Sequence, residues 1–202
     1  MANTNAPFGF RDFQGNIGGA SPNAAQIVRQ IAYNDTTKIF NGDPVKSLST
    51  GYVAQWTAST AVSQLAGIFV GCSYLSVAYG NTRWSRYWPG ADVASGSIVS
   101  AYLVPCNLAA PGLFMVQSSG TAFSIADIGA NADVTIGTGS TATGQSGASL
   151  DQATLAGTAT LPFRIVGLYS DYGPPGSSGT EAASYNWAIV AANVAGAGST
   201  GI

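Results

Sequence analysis

Asp43 is the carboxylate in this chain most open to a chemical reading. It sits in the stretch IFNGDPV, residues 39–45, between an Asn-Gly pair and a proline, with apolar residues on both sides. Asn-Gly tolerates positive φ, and the proline pushes Asp43 itself out of the helical region. A carboxylate in that setting accepts hydrogen bonds from nearby backbone N–H groups and bends the chain. Catalysis would need a partner, and the chain contains no histidine. That removes the Ser-His-Asp arrangement, the commonest general base and the commonest metal ligand together. Lys38 and Lys46 lie outside any S-x-x-K motif, so a Ser–Lys pair has no anchor either.

The remaining acidic groups fare no better. Eight Asp and one Glu lie mostly beside Gly, Asn or Pro, and no D-[ST]-G triplet pairs two of them. Asp127-Ile-Gly-Ala-Asn-Ala-Asp133 offers three oxygen side chains at intervals that do not match a calcium loop. GTGSTATG, beginning at Gly137, lacks the lysine of a phosphate-binding loop. The expectation is a protein that is not an enzyme and uses no cofactor or metal.

RWSRYW, Arg83 to Trp88, interleaves cations with aromatics. On a continuous strand Trp84, Arg86 and Trp88 share one face, with Arg83, Ser85 and Tyr87 on the other. Such a face can stack on a base, but seven cations and a net charge of −2 give no footprint for a phosphate backbone. Nucleic acid is therefore not an expected partner. A packed ladder with Arg over an indole ring accounts for the same residues. They are candidates for contact with a protein partner, and Trp84, Tyr87 and Trp88 would also suit sugar rings in an extracellular carbohydrate-binding or adhesion module.

The elements that must position these groups read as strands. From Gln26 onward short runs of Val, Ile, Phe, Tyr and Trp alternate with turn clusters such as Asn41-Gly42, Pro89-Gly90 and Gly173-Pro-Pro-Gly176. The predicted strands are 26–32, 38–40, 51–56, 66–74, 83–88, 97–104, 113–117, 134–136, 163–168 and 185–192. Helix is confined to possible turns at Ser21-Pro22 and Ser124–Gly129. The fold class is mainly β, a β-barrel or β-sandwich with long loops. Residues 1–25, with Phe8, Phe10 and Phe13 scattered among Asn, Gly and Pro, are predicted to form an extended arm whose aromatics anchor in grooves elsewhere. Residues 26–202 form the domain. Within it, residues 137–149 hold no apolar side chain larger than alanine and read as a flexible loop, long and exposed or else ordered by a partner.

Only 8% of residues are charged, against about 25% in an ordinary soluble domain. Residues 1–100 carry six cations and four anions; residues 101–202 carry Arg164 alone against five anions. A monomer normally needs more charge to stay dispersed, so either partners cover much of the surface, the preferred reading, or it is a neutral Ser/Thr/Gly/Asn surface of an extracellular kind. The apolar stretches 65–79 and 187–198 are interrupted and shorter than the roughly 18–20 residues of a membrane span, so no membrane contact is expected. MANTNAPFGF has neither a basic start nor an apolar core of a leader, which reads as a soluble chain made in a cytoplasm. Cys72, inside LAGIFVGCSYL, reads as a buried thiol; whether it can reach Cys106 is open.

In order along the chain, MANTNAPFGFR, IFNGDPVK, LAGIFVGCSYL and RYWPG, followed by TATGQSGASLD and LPFRIVGLY, resemble the capsid cement, or head-decoration, proteins of tailed bacteriophages. The Ala/Gly-rich end after Asn193 and the GPPGSSGT stretch depart from that pattern. The resemblance implies a β-rich structural protein of the virion. Such a protein assembles in the host cytoplasm as a homodimer or homotrimer on the capsid exterior and bridges neighbouring major capsid protein subunits. It would account for the missing charge, because charges are costly at interfaces covered on several sides. The arm, reaching ~50 Å or more when extended, would dock across capsid subunits through Phe8, Phe10 and Phe13.

Overall fold

β-branched and aromatic runs punctuated by Gly, Pro and Asn leave little room for helix, and the chain folds accordingly. The computed structural model describes residues 3–13, 26–58, 60–106, 112–169 and 183–193. The Ser21-Pro22 turn, the second half of the predicted arm, the Gly173–Gly176 turn and the chain after Asn193 lie outside them. Strands account for 48% and helix for 4%, which makes the protein mainly β, with a closed five-stranded barrel and additional sheets.

The strands in chain order are β1 (Arg11–Phe13), β2 (Ile27–Ile31), β3 (Ile39–Phe40), β4 (Pro44–Ser47), β5 (Val53–Gln55), β6 (Leu65–Leu75) and β7 (Thr82–Ser85). They continue as β8 (Tyr87–Trp88), β9 (Val99–Pro105), β10 (Leu113–Gln117), β11 (Asn131–Thr135), β12 (Ser149–Ala156), β13 (Phe163–Leu168) and β14 (Trp187–Ala192). Single 3-10 turns lie at Val62–Gln64 and Ile125–Asp127. The second is held by a capping box in which Asp127 reaches back to Ser124.

The barrel runs β4-β5-β2-β9-β6 and closes by pairing β4 with β6, while β7 hangs on the outside of β6. All its pairings are antiparallel except β2 with β5, which meet at Ile31 and Val53. Alternation along β9 decides the inside: Val99, Ala101 and Leu103 are fully buried, while Ser100, Tyr102 and Val104 face out. Ile31, Ile39, Val45, Val53, Phe69 and Trp88 are among the other members of that core. Each such side chain contributes about 1.5–3 kcal/mol on burial.

A second sheet, β1-β10-β14-β13-β11-β12, is antiparallel throughout. It curls around its own core of Phe114, Phe123, Phe163, Leu150 and Val190. Trp56, Leu65 and Ile68, from the barrel side of the chain, are packed into this second core as well, so the two bodies share a wall.

Cys72 is buried in the barrel core and Cys106 in the other, and both are free. Burial pushes the Cys72 thiol up to about 12 and the Cys106 thiol higher still. Neither thiolate forms at neutral pH, and only the thiolate is a nucleophile. Ellman's reagent at pH 8 is therefore expected to label neither thiol in the folded protein and both after denaturation in guanidinium.

Three predictions need correction. The strand expected over 83–88 is broken: β7 ends at Ser85, and Tyr87–Trp88 pairs instead with β3 in a separate two-stranded ribbon. The Ser85 hydroxyl causes the break, donating to the Tyr87 carbonyl at 2.6 Å and accepting from its N–H at 3.2 Å. The N-terminal residues are not an arm as far as Phe13, because β1 is paired with β10 in the second sheet.

The stretch 137–149 is an exposed loop only in part: Thr138 and residues 140–143 are exposed, while Gly144 and residues 146–149 are buried. It packs through glycine backbone rather than apolar side chains. A Cβ at Gly139 would stand 2.3 Å from the Phe40 ring, and one at Gly147 2.4 Å from the Thr138 carbonyl oxygen. Gly139→Ala is accordingly expected to cost about 1–3 kcal/mol, read as a lower midpoint in urea unfolding, although position 139 carries no side chain to lose.

Candidate functional site

Asp43 is 1% exposed, and its carboxylate joins three segments of the chain in one place. Oδ2 accepts the Phe40 N–H at 2.8 Å and the Gln55 side-chain amide at 2.8 Å. Oδ1 accepts the hydroxyl of Ser146, whose oxygen in turn accepts the Ala148 N–H at 2.8 Å. The turn itself closes through Asp43 N–H to the Phe40 carbonyl at 2.9 Å, with Gly42 at φ +100. Burial pushes the carboxyl above the usual aspartate range, and the Phe40, Ser146 and Gln55 donors pull it back. The lone pairs are engaged by the protein itself, so the group offers no base to a substrate. It does more than bend the chain, since it ties the β3–β4 turn to β5 and to the 137–149 stretch.

Asn41 extends the same knot. Its side-chain oxygen accepts from Arg11 Nη1 at 2.7 Å and its amide donates to the Val70 carbonyl. Its backbone N–H donates to Gly144 and its carbonyl accepts from Ser146. The N-terminal segment threads through this region: Phe10 N–H reaches the Gly42 carbonyl at 2.9 Å and Gly9 N–H the Ala148 carbonyl at 3.2 Å. Further out, the buried Gln117 accepts from Ala6 N–H and donates to the Thr4 carbonyl, each at 3.0 Å.

The six predicted contact residues are not brought together. Phe10 is 2% exposed and stacks on Phe163 at 4.4 Å. Trp88 is fully buried in the barrel, its indole N–H donating to the Asp35 carbonyl at 3.0 Å. Both serve this chain's own cores and are corrected as partner contacts. Phe8 and Phe13 are partly buried against Trp187 and Tyr169, edge-on at 5.4 and 6.1 Å. Arg86 is exposed at the corner between β7 and β8; its charge, after burial, helps hold the Arg11 guanidinium below its usual value. Among the described residues the one cation over a ring is Arg83 on Tyr79, at 4.1 Å, not an Arg on an indole. Asp127 and Asp133, weighed as calcium ligands, are engaged with Ser124 and with Trp56 and Val134 respectively.

Of the six only Trp84 and Arg86 are exposed, and Trp84 is the one aromatic that stands in the open, at 71% exposure. No protein-family model, curated protein or solved structure matches the chain. Trp84 pairs with Ser73 on β6, and β6 pairs with β9, placing Gly71 opposite Tyr102 and Ser73 opposite Ser100. Because β6 presents only Gly71 and Ser73 here, the indole reaches across it and stacks on Tyr102, centroids 5.1 Å apart and 24° between planes. The Tyr102 hydroxyl is within 3.3 Å of the Ser73 hydroxyl.

The same face carries Val28, which pairs with Tyr102, and Leu75, which lies on the Ser73 side of β6. Ile98, one residue before β9, has the parity of Ser100 and Tyr102. Val28 is 58%, Leu75 43% and Ile98 67% exposed. The only charged residues on the four strands, Arg29 and Arg83, alternate to the opposite side. The sequence reading found Trp84 and missed the other four. For Val28 and Tyr102 the signal was present as alternation in IVRQI and VSAYLVP, where the outward positions are neutral rather than charged.

Proposed function

We propose that the protein is a structural component of a tailed-phage virion that binds the outside of the capsid and cements neighbouring major capsid protein subunits. The observation that carries the reading is the poverty of charge on the folded surface. Sixteen charged residues serve 9787 Å² of accessible surface, about one per 600 Å², and Asp43 is not on that surface. The neutral outer face of the barrel adds support, since exposed apolar patches of this kind mark contact with other macromolecules. The ordered set of motifs resembling cement proteins supplies the identity of the partner. The carbohydrate-module reading has less support, because Trp88 is in the core and Tyr87 is stacked against Phe40 at 5.4 Å, leaving Trp84 alone for sugar.

The test is reconstitution. Shells stripped of the protein by mild denaturant are mixed with purified protein and pelleted. Saturable co-sedimentation, with raised resistance of the shells to heat, is the expected result. Recovery of all the protein in the supernatant overturns the proposal.

A further inference from the structure

Two of the seven cations of this charge-poor chain converge on one asparagine. β3 and β8 pair Ile39 with Trp88 and Phe40 with Tyr87, and the next step of that antiparallel register sets Asn41 opposite Arg86. Arg86 lies close over Gly144, where a Cβ would stand 2.7 Å from the Arg86 Cβ. Gly144 in turn accepts the Asn41 N–H at 2.9 Å. Arg11 arrives from β1 in the other sheet, its Nη1 donating to Asn41 Oδ1 at 2.7 Å. The Asn41 side chain is fixed between them, because its amide also donates to the Val70 carbonyl. It therefore holds one guanidinium and faces a second.

Among the described residues no carboxylate relieves this pair of like charges. Burial, and then Arg86, hold the Arg11 guanidinium below its usual value, and no anion offsets them. Asp12, the next residue, alternates to the opposite side of β1. Asp43 is committed to Phe40, Gln55 and Ser146. Asn41 engages one of the five N–H donors of Arg11, and Arg86 hydrogen-bonds to none of the described residues.

We propose that Arg11 and Arg86 form a binding site for a dianionic phosphate group, either the free ion or a phosphomonoester. Two guanidinium forks match the oxygen pairs of a tetrahedral oxyanion. Two cations also call for two negative charges, whereas a carboxylate would answer only one. Arg86 is exposed and Arg11 half-buried, so the anion enters from solvent past Arg86 and reaches the inner charge. Arg11 belongs to the second sheet and Arg86 to the corner between β7 and β8. A phosphate held by both links the N-terminal strand to the barrel side of the molecule. The inference does not depend on shell binding.

The experiment uses the full chain without capsids, so its failure and a failure of shell binding are separable. Inorganic phosphate is titrated at about pH 8, where the group is largely a dianion, with ionic strength held constant by chloride. Binding is read as broadening of the phosphorus-31 resonance. Saturable broadening is expected, with a melting temperature that rises with phosphate concentration. Arg86→Ala, at an exposed position, is expected to weaken binding about ten-fold or more, with unchanged circular dichroism. Arg86→Lys, which keeps the charge but not the fork, is expected to weaken it less. Arg83→Ala, a cation outside the site, is expected to bind as the wild type does. Glycerol phosphate that displaces inorganic phosphate at similar concentration supports a site open to an ester; glycerol phosphate that fails to displace it supports a site for the free ion. Absence of saturable broadening overturns the inference. So does broadening that Arg86→Ala leaves unchanged, and so does displacement of phosphate by an equal concentration of acetate.

Discussion

Replacing Asp43 by alanine is expected to lower the stability of the protein by about 3–5 kcal/mol, measured as a fall in the midpoint of urea unfolding. The carboxylate accepts three hydrogen bonds, from Phe40 N–H, Gln55 and Ser146. Hydrogen bonds to a charged group contribute about 1.5–3 kcal/mol each, and a buried donor left without an acceptor costs about 1–3 kcal/mol. Gln55 is half-buried and can turn to water, but Phe40 and Ser146 are buried and cannot. Asp43→Asn keeps the shape and an acceptor oxygen. It is expected to cost about 1 kcal/mol, because the Ser146 hydroxyl can reverse and accept from the new amide.

The pair of variants also separates charge from shape through pH. Burial raises the carboxyl of Asp43 above its unfolded value, so the folded state holds this proton more tightly. The corresponding stabilisation is complete below about pH 3.9 and is lost as pH rises through the folded value. The wild type is therefore expected to lose stability across that window relative to Asp43→Asn. Parallel pH profiles for the two proteins would mean that Asp43 ionises as easily in the fold as outside it.

Phe10→Ala is the second large effect, expected at about 3–5 kcal/mol by the same measurement. The ring is 2% exposed, stacked on Phe163 and edge-on to Phe114 at 6.4 Å. Its removal leaves a cavity in the second core. Around it the backbone of residues 9 and 10 bonds to Ala148 and Gly42, so deletion of residues 1–13 is expected to do more damage still. Such a truncation would fail on shells by unfolding, not by losing an anchor. Phe8→Ala, where the ring is only partly buried against Trp187, is expected to cost less, about 1–2 kcal/mol.

Strands whose residues fit a half-buried pleat were legible: 113–117 and 163–168 match β10 and β13 at both ends. β4 and β12 were not. β4 opens on a proline, which reads as a turn because it cannot donate to a ladder, yet is tolerated as a first strand residue. β12, SLDQATLA, has little aromatic or β-branched content, and its pairing with β11 and the buried Leu150 side chain determine its state. The stretch 137–149 was misread because a count of apolar side chains cannot register glycines that let backbone lie on backbone. The 83–88 stretch was misread because periodicity assumes a continuous strand, and one serine hydroxyl ends it. What the residues did convey was the reluctance of this surface to carry charge, and the barrel face is where that becomes a place.

The four indoles of the chain are distributed unevenly with respect to solvent. Trp56 and Trp88 are sealed in, Trp187 is partly covered, and Trp84 stands free. The emission of the folded protein thus contains one red, quencher-accessible contributor over a blue, protected background. Any event that covers β7 will shift the spectrum to shorter wavelength and suppress acrylamide quenching, so the protein carries its own optical reporter of assembly without a label.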